Sequence, residues 1–199
     1  MSIRGGFSQR NCDMKYDRFV ETMLRVIEIM SNVVEKLIKI MLNWKNHHEQ
    51  EIRRVAADII SKLVKKERNR IRVTAIAGAM ESIASLLYDN KQIEIHSKQY
   101  GDAYNYLVFS VLGLRILKSL PIEHDNCAKI RSCRGLLPKI IGLTELNPNA
   151  PKSQIKTAKP ALQLLRMLAS GTGSTGKALR RGISEIVFVI SNLRDILHY

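Results

Sequence analysis

The sequence predicts an all-α molecule of about three stacked helical units with one extra amphipathic helix in front of them. Three observations carry that expectation. Apolar residues recur at helical spacing along most of the 199 residues, and no alternating strand pattern of useful length occurs. The 45% hydrophobic fraction is mostly Leu, Ile, Val and Ala, with only 6% aromatic, which suits helices packed through aliphatic side chains. Three segments also repeat one pattern: basic residues, a glycine, then an apolar helix.

Residues 1–16 are polar and Gly-containing and read as a frayed tail. Residues 17–43 follow as a long amphipathic helix, with Phe19, Met23, Val26, Met30, Val33, Leu37 and Met41 on one face and charges opposite. Those charges keep any uncharged run well below the roughly 18 residues that a membrane span needs. The stretch NWKNHHEQ breaks the pattern. EIRRVAADIISKLVKK then reads as a helix burying Ile52, Val55, Ala56, Ile59, Ile60, Leu63 and Val64. With AIAGAMESIASLL it forms a first unit over 44–88. A polar connection covers 89–102. The second unit, 103–146, opens with a strongly apolar helix that Pro121 stops. After the loop NPNAPKS, a third unit covers 153–199 and is either incomplete or terminal. IVFVIS tempts as a strand, but it continues the helix-spaced series Ile183, Ile186, Val187, Ile190, Leu193, Ile196 and Leu197.

RVTAIAGAMESIASLL, AKIRSCRGLLPKIIGLT and GKALRRGISEIVFVI align on Gly78, Gly135 and Gly182. Each glycine follows the last leucine of a longer helix (Leu63, Leu120 and Leu168) by about 15 residues. A residue without Cβ can take φ > 0 or let two backbones approach closely where one short helix turns into the next. Such a unit cannot bury its apolar faces alone, so neighbours stack to share a core. The units recur about every 50 residues.

HEQEIRRVAADIISKL resembles the long final helix of an armadillo repeat. AIAGAMESIASLL and CRGLLPKIIGL resemble the short helix, glycine turn and second helix of the repeat that follows. More narrowly, EIRRVAADIISKL, GAMESIASLL, NCAKIRSCRGLLPKIIGLT and LRRGISEIVFVISNLRDIL are similar to a plant group of armadillo-repeat superfamily proteins. The resemblance covers residues 44–197. It implies an armadillo-like right-handed α-solenoid that binds other molecules, with no catalytic residue to carry over. Gly182 departs from the group, where a Glu is expected. Longer members carry apolar N-terminal segments that this chain lacks, so membrane attachment does not carry over.

The net charge of +14, from 32 Lys and Arg against 18 Asp and Glu, raises attraction for nucleic acid, anionic lipid or an acidic protein face. A solvated helical surface is the plainer reading. Lys62, Lys65, Lys66, Arg68, Arg70 and Arg72 form the densest run, at a helix end and in the following loop. They make a candidate anion- or partner-binding patch, although cations at a helix C-terminus are also favoured by its dipole alone. Tyr100, Tyr104, Tyr106 and Phe109 are not interleaved with the run, so nucleic-acid binding there would be phosphate-led and salt-sensitive.

GTGSTGKA, residues 171–178, nearly matches a phosphate-binding loop. A helix precedes it, however, and Ala178 stands where a hydroxyl is needed, so a linking loop is the better reading. His47 and His48 have no second ligand pair at zinc spacing. The three cysteines, Cys12, Cys127 and Cys133, form no disulfide framework and fit a reducing compartment, with the latter pair read as small buried residues. No nucleophile elbow, kinase phrase or carboxylate pair stands out. The expectation is a non-catalytic protein–protein interaction scaffold without cofactor or metal. Binding of nucleic acid or an anionic membrane surface through a basic face is the alternative. The start, MSIRGGFSQRNCDMKYD, has no apolar signal core, so a cytoplasmic site is expected, with the nucleus or a membrane periphery as variants. The C-terminal helix is expected to expose an apolar strip met by self-association or by further repeats.

Overall fold

The computed structural model describes residues 26, 31–43, 49–88, 92, 103–121, 124–145, 152–170, 176, 177, 180 and 181. Among the described residues the regular elements are all helical and none is a strand. They are α1 (Ser31–Asn43), α2 (Gln50–Leu63), α3 (Glu67–Ala75), α4 (Ala79–Ala84), α5 (Ala103–Ser119), α6 (His124–Ser132), α7 (Leu136–Gly142) and α8 (Lys152–Ala169). The expected tail, the front half of the first helix apart from Val26, His47, His48, Gly182 and the last helix lie outside the described residues. So do the loop over 171–175 and, apart from Gln92, the connection over 89–102.

Aliphatic spacing decides which helices meet. α1 packs on α2 and on α4; α2 packs on α5; α5 packs on α4 and on α8; α8 packs on α7. Val34, Ile38 and Met41 of α1 join one continuous core with Ile60 and Leu63 of α2, Leu114 and Leu117 of α5, and Leu164 and Leu168 of α8. Burying side chains of this size contributes roughly 1.5–3 kcal/mol each relative to exposure. Two hydrogen-bond pairs set the direction of α4. Ser82 Oγ donates to Ile38 O at 2.8 Å, and Ser85 Oγ lies 3.3 Å from Met41 O. Both pairs advance together, so α1 and α4 run parallel. α2 and α5 are parallel on the same argument: Arg53 lies over the Phe109 ring, and further along Arg115 approaches Asp58. Gly113 lets α5 close on α4, because a Cβ there would sit 2.8 Å from Leu87 Cδ2.

The junction after each long helix is built twice. Asn69 Nδ2 donates to Leu63 O at 3.1 Å, and Asn126 Nδ2 donates to Leu120 O at 3.1 Å. Each amide donates to a carbonyl at a helix C-terminus, and Leu63 O accepts the Lys66 N–H at 3.2 Å as well. Nine residues on, Gly78 and Gly135 take φ of +77° and +76° and open α4 and α7. That left-handed conformation costs a side-chain-bearing residue roughly 1–2 kcal/mol, which accounts for glycine at both places.

The buried face of α2 is rotated from the one expected. Ile52 and Val55 are 50% and 42% exposed, while Arg53 between them is only 2% exposed. Its Nε donates to Met41 O at 2.8 Å, Nη1 to the Tyr88 hydroxyl at 3.0 Å, and Nη2 to Ser85 O and Oγ at 2.8 and 2.9 Å. The guanidinium therefore meets the C-terminal ends of both α1 and α4, where backbone dipoles favour a cation. Four of its five N–H donors thus have acceptors, which offsets much of the cost of burying the cation. Turning the helix toward that site turns Ile52 and Val55 outward.

Candidate binding surface

α2, α5 and α8 each keep one stripe at the edge of the core, with Ile59 and Val108 packed against it. On α2 it runs through Ile52, Val55, Ile59 and Lys62; on α5 through Val108, Val111, Arg115 and Lys118; on α8 through Lys156, Lys159, Gln163 and Arg166. Steps of three and four residues put each set on one helical face. Side chains join the stripes across the helices. Asp58 on α2 lies 2.9 Å from Lys62 and 4.0 Å from Arg115 on α5. Lys118 on α5 donates to the Gln163 side-chain carbonyl on α8. An open groove of about 430 Å³ lies between α5 and α8, lined by Val111, Arg115, Lys118, Ser119 and Pro160.

Charge is not spread evenly over this surface. On α2, Glu51 pairs with Arg54 and Asp58 with Lys62. The Arg54 guanidinium holds the exposed Glu51 carboxyl below its usual range. α5 and α8 contain no Asp or Glu; they carry Arg115, Lys118, Lys152, Lys156, Lys159 and Arg166. Lys156, Lys159 and Arg166 are exposed on the α8 stripe, one turn or two from Gln163. Helices that carry cations and no acids of their own hold a positive potential at their surface.

The basic run read from the sequence does not come together as a patch of six equivalent cations. Lys62 closes α2 and pairs with Asp58. Lys65 and Lys66 are exposed in the turn, and Arg68 is exposed on α3. Arg70 is buried and donates from Nη1 to Lys65 O at 3.2 Å, bracing that turn. Arg72 is half-buried in the last turn of α3. What reads as a loop is thus a short helix, and Arg70 is part of its packing. Gly78 and Gly135 shape the turns into α4 and α7 and do not line the groove.

Cys127 and Cys133 are buried free thiols, and burial pushes both up from the usual thiol range. Among the described residues no group of three or more His, Cys, Asp or Glu is placed to hold a metal, and no helix is long and apolar enough to cross a membrane.

The cations of α5 and α8 escaped the sequence reading because they are far apart in the chain. The signal was present as two helical segments without a single acidic residue in a chain with 18 of them. No protein-family model, curated protein or solved structure matches this chain.

Proposed function

We propose that this chain is an armadillo-like right-handed α-solenoid of about three stacked units that acts as a non-catalytic protein–protein interaction scaffold. α3, α4 and α5 form one unit, and α6, α7 and α8 the next. α1 and α2 precede them, with α1 packed on α2 and on α4. The recurrence of the Asn-to-Leu carbonyl bond and the left-handed glycine supports this grouping. Helical units stacked in this way offer one long surface to an extended partner.

The observation that carries the functional reading is the outer surface of α2, α5 and α8, joined by Asp58, Arg115, Lys118 and Gln163 into one face with an open groove. The test compares immobilised wild-type chain with an Arg115→Ala/Lys159→Ala variant, using extract from the source tissue. Proteins that stay on the wild type at about 0.3 M salt and are lost from the variant support the scaffold, since screening at that strength removes loose ion pairing. A second reading is binding of nucleic acid or anionic membrane through Lys65, Lys66 and Arg68, favoured by the net charge of +14. Retention of only RNA or acidic vesicles, lost by physiological salt, favours that second reading.

A further inference from the structure

We infer that the α5–α8 groove takes an extended protein segment in which acidic residues flank an apolar one. The inference rests on the scaffold reading and names the chemistry of the partner. Three features of the groove point the same way. Its rim is cationic: Arg115 and Lys118 line it from α5, and Lys159 and Arg166 stand on the α8 stripe a turn to either side of Gln163. Its lining is partly apolar, through Val111 and Pro160. No carboxylate on α5 or α8 competes for the cations, and Asp58 of α2 reaches Arg115 only at 4.0 Å while holding Lys62 at 2.9 Å. Arg115 therefore keeps donors for an incoming carboxylate, and a guanidinium binds that group through two parallel bonds.

The same features disfavour other anionic partners. A nucleic-acid strand is held by aromatic rings interleaved with cations. The ring of Phe109 and that of Tyr106 on α5 are both buried. A membrane-docking face combines cations with large exposed apolar side chains. The exposed ones among the described residues are Val26, Ile52, Val55 and Ile71; Ile52 and Val55 stand on the α2 stripe, and none of the four lines the groove.

The full chain is titrated by fluorescence anisotropy into a labelled peptide of Asp and Glu with spaced leucines, at about 150 mM salt, where unspecific attraction is largely screened. A Lys-for-acid version, a Gln-for-acid version, single-stranded RNA and phosphatidylserine vesicles are the comparison probes. The acidic peptide is expected to bind most tightly. Arg115→Ala/Lys159→Ala is expected to weaken it about tenfold or more, as loss of charge-assisted hydrogen bonds requires. Arg131→Ala/Arg134→Ala, which removes the same charge from exposed positions at the end of α6 and the turn after it, is expected to leave it unchanged. Circular dichroism confirms that each variant is folded. Equal binding of the Gln version, or equal loss in both variants, overturns the acidic-segment inference and leaves the scaffold standing. Binding of RNA or vesicles with no peptide binding overturns both.

Discussion

Arg53 is the side chain on which most of the described fold converges. It ties the end of α1, the end of α4 and Tyr88 to α2, and it lies 4.9 Å from the centre of the Phe109 ring. Among the described residues it has no carboxylate partner; carbonyl and hydroxyl oxygens accept all its bonds. Arg53→Met keeps much of the volume but strips donors from Met41 O and Ser85 O. The expected cost is about 2–4 kcal/mol for two buried acceptors losing a donor, measured by urea denaturation. A loss under about 0.5 kcal/mol is within the range of ordinary surface substitutions and contradicts the role given to Arg53. The buried thiols give a second prediction at this scale. Desolvation raises both, so the folded chain keeps them protonated at pH values where the unfolded chain ionises. Their contribution to stability is therefore lost as pH rises above the ordinary thiol range. In a Cys12→Ser background, labelling of Cys127 and Cys133 at pH 8 should be at least about tenfold slower in native than in denatured protein, because the thiolate is the reacting species.

At the scale of elements, the two asparagine junctions are the clearest pair. Asn69 and Asn126 do one job at two places, each donating over the same distance to a leucine carbonyl. Asn69→Ala and Asn126→Ala should each cost about 0.5–1.5 kcal/mol, the scale of one net intramolecular hydrogen bond, and the two losses should add in the double variant. Thermal unfolding monitored at 222 nm checks both; a loss at one site only denies their equivalence. Much of this scale was legible beforehand. Gly78 and Gly135 announced the left-handed turns, and Leu63 and Leu120 the ends of the long helices. The asparagines were overlooked although each precedes its glycine by nine residues, because a polar residue in a charged stretch reads as solvated. The face of α2 was misread for a related reason. Apolar spacing ranks Ile52 and Val55 as core and Arg53 as surface, yet hydrogen-bond acceptors supplied by α1, α4 and Tyr88 reverse that order. No pattern within α2 alone contains that information.

At the scale of the whole molecule, the net charge of +14 was legible and its distribution was not. The sequence run from Lys62 to Arg72 divides between an ion pair, a brace and a few exposed cations. The surface that stays positive comes from α5 and α8, which meet only when the chain folds. The docking site proposed above is this face, and not the α2–α3 turn. The direct measurement is an ¹⁵N–¹H correlation spectrum of the labelled chain titrated with the acidic peptide. The amides of residues 111–119 and 156–166 are expected to shift, with the amides of 62–72 unmoved. Shifts concentrated in 62–72, or none beyond uniform small changes, would contradict that docking site.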